Sequence, residues 1–152
     1  FRPFNAVGTR EPPGEEIGQA HVIPDFVLKI LEKQQDPLRV LGDGRQIRAF
    51  TNVRDIADGV YKCAFEDAAA NDAFNLGSED GIEMRDLARK IWQRSDRNSE
   101  IKFEMDDAFE HDVRRRIPSS QKAKDVLGWE PKISLEESLD EYIEWYREEL
   151  LE

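Results

Sequence analysis

The cationic side chains best suited to chemistry lie in two segments, one around Arg48 and one at residues 114–116. Arg48 stands between Ile47 and Ala49 in an apolar strand pattern, where a charged group needs a partner or a ligand. A guanidinium group can bind two phosphate oxygens at once, and consecutive arginines need compensating anions. Both segments therefore indicate an anion-binding site. The alternative for Arg48 is an edge strand on which it faces water, and the alternative for residues 114–116 is a surface with salt bridges.

Nucleophilic and metal chemistry find less support in the sequence. His21 and His111 lack helical i, i+4 pairing and accompany no serine or cysteine nucleophile, and Cys63 is the only thiol. Acidic pairs are frequent because the whole chain is acidic, so they indicate a solvated face rather than a glycosidase-type pair. We therefore predict neither catalytic residues nor a metal site in this chain.

Dinucleotide chemistry requires a glycine-rich turn between a strand and a helix, and the Gly-x-Gly of this chain does not have that context. Gly42-Asp43-Gly44 is followed by a second strand pattern, so it predicts a turn that sets the register of two strands. No tyrosine is followed by lysine four positions later. We therefore expect no cofactor contact in this chain.

The composition of the chain limits which partners it can bind and where in the cell it is expected. The chain has 152 residues and a net charge of −11, which argues against binding to nucleic acid or to anionic membranes. It has no apolar run of the ~20 residues that span a bilayer, and its first residues lack the basic and apolar regions of a signal peptide, so we expect none. A single cysteine fits a reducing compartment, so we expect a cytoplasmic location. Because it starts at Phe1, we also expect the chain to be part of a longer protein.

The elements that position these residues alternate between strands and helices, which predicts an α/β fold. The predicted strands are 2–7, 38–41, 46–53, 72–76 and 101–103. The predicted helices are 24–33, one that begins at Asp55, 85–93, a short one capped by Ser119 or Ser120, and one that begins at Ser134 with a capping box. Residues 106–118 are expected to be irregular.

Six motifs occur in the order typical of one enzyme family. They are R-x-x-N at 2–5, V-I-P at 22–24, G-D-G-x-Q-x-R-x-F at 42–50, N-x-G at 75–77, R-x-P at 116–118 and L-G-W-x-P at 127–131. Together they resemble the C-terminal, substrate-binding part of the extended short-chain dehydrogenases/reductases. These are the NAD-dependent sugar-nucleotide epimerases and dehydratases, such as UDP-glucose 4-epimerase. Val7, Thr9 and Ser119 depart from the family's usual tyrosine, proline and aspartate.

The resemblance implies a role for five residues in binding a UDP- or dTDP-sugar. Asn5 would hydrogen-bond the diphosphate or the sugar, and the backbone around Val22 and Ile23 would lie against the base. Arg48 and Arg116 would clamp the diphosphate from two sides.

The resemblance also implies how the complete enzyme would work. NAD would take a hydride from the sugar, usually at C4, with NAD and the catalytic tyrosine held by an N-terminal Rossmann domain absent from this chain. Residues 1–152 would then be one substrate-binding domain, inactive alone. Its helix from Asp55 and strand 73–76 would complete the Rossmann sheet, with Asp55 as a helix cap. The alternative is a non-catalytic module that binds ligands or self-associates, for example as a homodimer, through exposed sheet edges.

Overall fold

The computed structural model describes residues 1–14, 20–107 and 111–151. The strands are β1 (Arg2–Pro3), β2 (Ala6–Val7), β3 (Leu38–Leu41), β4 (Ile47–Ala49), β5 (Thr51–Asn52), β6 (Asn75–Leu76), β7 (Gly81–Glu83), β8 (Phe103–Asp106) and β9 (Arg115–Arg116). The helices are α1 (Val22–Val27, continued by a π-helical turn at Leu28–Glu32), α2 (Val53–Phe65), α3 (Met84–Trp92), α4 (Gln121–Leu127) and α5 (Leu135–Glu149), with a 3-10 turn at Asp67–Ala69. The predicted α/β class is confirmed.

Four small sheets connect distant parts of the chain. Parallel pairs join β1 to β6, β2 to β5 and β3 to β8, and β4 is the central strand of a three-stranded sheet between antiparallel β7 and parallel β9. The predicted register role of the Gly42-Asp43-Gly44 turn is wrong, because β3 and β4 belong to different sheets. Gly42 and Gly44 still have the positive φ angles, 62° and 67°, that a glycine turn supplies.

The predicted strand 46–53 is divided at Phe50. The residues before Phe50 pair with β7 and β9, whereas Thr51 and Asn52 pair with β2. Phe50 itself is buried in the main apolar core, so the chain changes sheets where this ring enters the interior. An uninterrupted apolar run predicts extended backbone but does not reveal which partner each part will meet.

The main core lies between α1, α3, α5 and β3. Met84, Leu87, Ala88 and Ile91 recur at the i, i+3, i+4, i+7 spacing of a helical face, and all four are buried there. On α5, Leu139, Tyr142, Ile143 and Tyr146 follow the same spacing and are buried as well. The predicted capping box is present: the Ser134 side chain accepts from the Glu137 amide, and the Glu137 carboxylate accepts from the Ser134 amide.

A second core joins α2, α4 and β6. Its members are Ile56, Ala69, Phe74, Leu76, Ala123, Leu127 and Trp129. Trp129 is fully buried, and its Nε1 donates to the Asp55 carbonyl at 2.9 Å. This contact fixes the segment that leads into α5 against the start of α2.

Asp55 does not cap α2, contrary to the sequence expectation. Asn52 occupies the cap position, and its Oδ1 accepts from the Arg54 amide at 2.9 Å. The buried Asp55 carboxylate instead accepts two backbone N–H groups, from Lys132 and Ile133, each at 2.9 Å through Oδ2. Asp55 therefore holds the loop before α5, a role that depends on a sequence separation of more than 70 residues.

Strand β9 was not expected, because residues 106–118 carry no apolar alternation. Its backbone is extended because β4 supplies a partner, with Ile47 opposite Arg115 and Arg48 opposite Arg116. This pairing brings the two predicted anion-binding segments together. No helix in the described ranges has the length and apolar character required to cross a bilayer.

Candidate functional site

One cavity of about 340 Å³ lies between the start of α1 and the strands β2, β3, β4 and β9. All five residues expected from the sequence to contact a ligand line it: Asn5, Val22, Ile23, Arg48 and Arg116. They come from four separate segments of the chain, so only the tertiary fold brings them together. Their roles in binding remain predictions.

Arg48 and Arg116 form the cationic wall of the cavity. They face each other in the register of the parallel β4–β9 pair, so their side chains leave the sheet on the same side, from strands about 4.8 Å apart. Arg48 is 9% exposed, whereas Arg116 is exposed. The alternative of a water-facing edge strand is excluded for Arg48, because β4 has neighbours on both sides.

Asp112 is the carboxylate that accompanies these arginines in the described part of the chain. Its Oδ1 accepts from Arg48 Nη2 at 2.9 Å, while Arg48 Nη1 donates to the Ile47 carbonyl at 2.9 Å. Burial lowers the pKa of Arg48, Asp112 acts in the opposite direction, and the nearby charge of Arg116 lowers it further. This wall thus has two adjacent cations and one anion, an arrangement that attracts a further negative charge. Elsewhere in the cavity lining, Asp25 is paired with Lys29, and Glu11 contacts His21.

Asn5 is held in an unusual backbone conformation beside this wall. Its φ angle is 39°, in the left-handed region that asparagine tolerates better than most residues. Its Nδ2 donates to the Ala49 carbonyl at 2.7 Å, and its own carbonyl accepts from the Thr51 amide at 3.1 Å. These bonds fix the side-chain amide at the cavity, where its oxygen can accept from a ligand hydroxyl.

Val22 and Ile23 begin helix α1 on another side of the cavity. Ile23 is 1% exposed because its side chain packs into the main core, so it can offer a ligand mainly its backbone. The preceding residue, His21, is bound to Glu11: both the backbone N and the ring Nδ1 of His21 contact Glu11 Oε1, at 3.4 Å and 2.6 Å. This contact fixes the start of α1 against the loop after β2.

Some cavity residues were anticipated from the sequence and others were missed. The alternation of residues 46–50 in the sequence puts Gln46 and Phe50 on the same face as Arg48, and both line the cavity. Asp112 and Met84 were missed, because their positions follow from the pairing of β9 with β4 and the packing of α3. No local pattern encodes either of these long-range contacts.

Comparison with known proteins identifies the family. A family model described as GDP-mannose 4,6 dehydratase matches residues 1–142. The chain belongs to this family. UDP-glucuronic acid decarboxylase 2 of Arabidopsis thaliana is 35% identical over 147 residues, covering 97% of this chain and 31% of the relative. UDP-N-acetyl-alpha-D-glucosaminuronate decarboxylase of Bacillus cytotoxicus is 33% identical, covering 97% of this chain and 45% of the relative.

Solved structures give the same assignment for the fold. UDP-glucose 4-epimerase of Thermotoga maritima, determined with UDP-glucose, superposes with a TM-score of 0.83 at 30% identity, covering 98% of this chain and 45% of that one. Epimerase Mth375 of Methanothermobacter thermautotrophicus gives a TM-score of 0.85 at 30% identity, covering 97% and 42%. The expected C-terminal part of an extended short-chain dehydrogenase/reductase is confirmed. This family member spans about a third to just under half of the lengths of these relatives.

Proposed function

We propose that this family member is the sugar-nucleotide-binding part of an NAD-dependent epimerase, dehydratase or decarboxylase. The observation that carries the proposal is the Arg48–Arg116 pair on the wall of a cavity, in a chain whose net charge is −11. Asp112 pairs with only one of the two arginines, and a diphosphate carries the charge and the oxygen acceptors to bind both guanidinium groups.

The relatives support a UDP-sugar as the ligand class. Their names describe decarboxylases of UDP-linked sugar acids, and the Thermotoga maritima epimerase was determined with UDP-glucose. The cavity has parts suited to each portion of such a ligand. Arg48 and Arg116 would bind the diphosphate, the backbone around Val22 and Ile23 would contact the base, and the Asn5 amide would bind a hydroxyl or the diphosphate.

We propose that NAD binds to a part of the protein other than residues 1–152. The dTDP-glucose 4,6-dehydratase of Bacillus anthracis, 25% identical with a TM-score of 0.77, was determined in complex with NAD. Within the described ranges of this chain, the Gly42–Gly44 turn connects two strands, and no glycine-rich turn opens a helix. We therefore propose that another part of the protein binds the dinucleotide, and we assign no step of hydride transfer to these residues.

Two uncovered surfaces support a domain arrangement in which residues 1–152 pack against an NAD-binding domain. In the described part of the chain, the β1–β6 sheet has only two strands, so β1 has an edge available for pairing. On α2, Tyr61 and Phe65 are 64% and 73% exposed, with ring centroids 4.8 Å apart. We propose that the remainder of a longer protein covers both, and that the intact protein is a cytoplasmic homodimer.

The same surfaces also favour the second candidate, a non-catalytic module that self-associates through them. Light scattering after size-exclusion chromatography separates the two candidates. Concentration-dependent dimers of the 152-residue chain that disappear when Tyr61 and Phe65 are replaced by serine favour self-association. Turnover of a sugar nucleotide by the intact protein, dependent on NAD, favours the enzyme.

Calorimetric titration with UDP tests the proposed binding site. Arg48→Ala and Arg116→Ala should each weaken binding by about 10- to 150-fold, since one charge-assisted hydrogen bond contributes ~1.5–3 kcal/mol. Arg115→Ala is the matched control, because strand alternation directs Arg115 to the other side of the sheet. If Arg115→Ala weakens binding as much as Arg116→Ala does, the loss of affinity comes from the lower positive charge of the region and not from a direct contact. The proposed site is then wrong.

A further inference from the structure

The partner of Arg48 lines the same cavity that would receive the diphosphate. Asp112 Oδ1 contacts Arg48 Nη2 at 2.9 Å, and Asp112 is itself a lining residue. The side chain of Asp112 is 25% exposed and that of Arg48 is 11% exposed, so the ion pair is largely screened from water. An anionic ligand that reaches Arg48 therefore meets the Asp112 carboxylate, which is already bound to Arg48.

A ligand bound to Arg116 would also lie close to Asp112. Both residues line the same cavity, and Arg116 lies opposite Arg48 in the register of β4 and β9. No ion pair joins Arg116 to a residue in the described ranges. The carboxylate thus neutralises one of two adjacent cations and leaves the other available.

We propose that Asp112 occupies the anion site in place of the ligand and sets its affinity, being displaced from Arg48 when a diphosphate binds. This inference rests on the proposed function. A carboxylate offers oxygen acceptors with a geometry similar to that of a phosphate, so the two compete for the same guanidinium face. The contact also keeps a buried arginine paired while no ligand is bound, which avoids an uncompensated charge in the interior.

The charge of the site changes with this exchange. With Asp112 bound, Arg48, Arg116 and Asp112 carry a net charge of about +1, and without it the two arginines carry about +2. The site therefore favours ligands with more than one negative charge. A ligand with a single charge would interact with Arg48 no more strongly than the Asp112 carboxylate that it must displace. Asp112 would make the cavity selective for diphosphates over anions that carry a single charge.

Titration of the full-length protein with UDP tests the inference. Asp112→Asn and Asp112→Ala should bind UDP about tenfold more tightly than the wild type, a usual size for coupling between two groups that share one partner. The matched control is Asp43→Asn, which removes one negative charge near Arg114, outside the cavity lining. It should change UDP affinity less than about twofold, since exposed charges are screened by salt.

A second measurement keeps the test independent of altered folding. Thermal unfolding of each Asp112 variant is recorded with and without UDP, and the shift caused by UDP should exceed that of the wild type because free Arg48 gains a partner. Equal or weaker UDP binding by both Asp112 variants overturns the inference, as does a tenfold gain in Asp43→Asn. If the folded wild type and all variants fail to bind UDP, the proposed function itself is wrong.

Discussion

Replacing Asp55 with alanine should destabilise the protein far more than its position in the first turn of a helix suggests. Asp55 is 7% exposed, and one carboxylate oxygen accepts the backbone N–H groups of both Lys132 and Ile133. In Asp55→Ala these two partly buried donors lose their acceptor. An unsatisfied buried donor costs about 1–2 kcal/mol, so we expect a loss of about 2–4 kcal/mol in the free energy of unfolding.

Three further variants separate this role from capping and from net charge. Asp55→Asn keeps an acceptor oxygen at the same place, so it should lose less than half as much stability. Asn52→Ala removes the cap of α2 and also the buried hydrogen bond from Asn52 Nδ2 to Ser138 Oγ, so it should cost about 1.5–3 kcal/mol. Asp58→Ala, at an exposed position of the same helix, should stay within about 0.5 kcal/mol of the wild type.

Urea unfolding followed by far-UV circular dichroism measures all four variants, with the linear-extrapolation slope used to check two-state behaviour. The reasoning is refuted if Asp55→Ala loses no more stability than Asp58→Ala.

Two other predictions concern acid stability and the exposed face of α2. The hydrogen bond from Lys90 holds the pKa of Glu136 below its usual 4.5, so its stabilising contribution is complete above about pH 4.5 and disappears as the pH falls through the lowered value. Glu136→Gln should therefore flatten the acid side of a plot of stability against pH. Replacing Tyr61 and Phe65 together with serine should change the stability of the 152-residue chain by less than about 0.5 kcal/mol, since both rings are exposed. In an intact protein that covers them, the same change should cost at least about 2 kcal/mol in urea unfolding, and equal effects in both proteins contradict the domain arrangement.

Features encoded by neighbouring residues could be predicted from the sequence. The capping box of α5 depends on Ser134 and Glu137, three positions apart, and the inner face of α5 follows from helical periodicity. Strand alternation placed Gln46 and Phe50 on the side of Arg48. In each case the signal and the structure lie within a few residues of the chain.

Features that depend on distant pairing could not be predicted in this way. Arg115 and Arg116 have no strand pattern and become extended only because β4 lies beside them. The contacts of Asp55 with Lys132 and Ile133 and of Asp112 with Arg48 likewise join segments more than 60 residues apart. The proposed anion site could be anticipated from the resemblance to a family, but the position of Asp112 beside Arg48 required the tertiary structure.

A crystal structure of the protein with bound UDP tests the central claim most directly. We expect diphosphate oxygens within about 3 Å of the guanidinium groups of both Arg48 and Arg116, the usual range for a charge-assisted hydrogen bond. A UDP molecule whose diphosphate contacts neither arginine, or one bound outside this cavity, would contradict it.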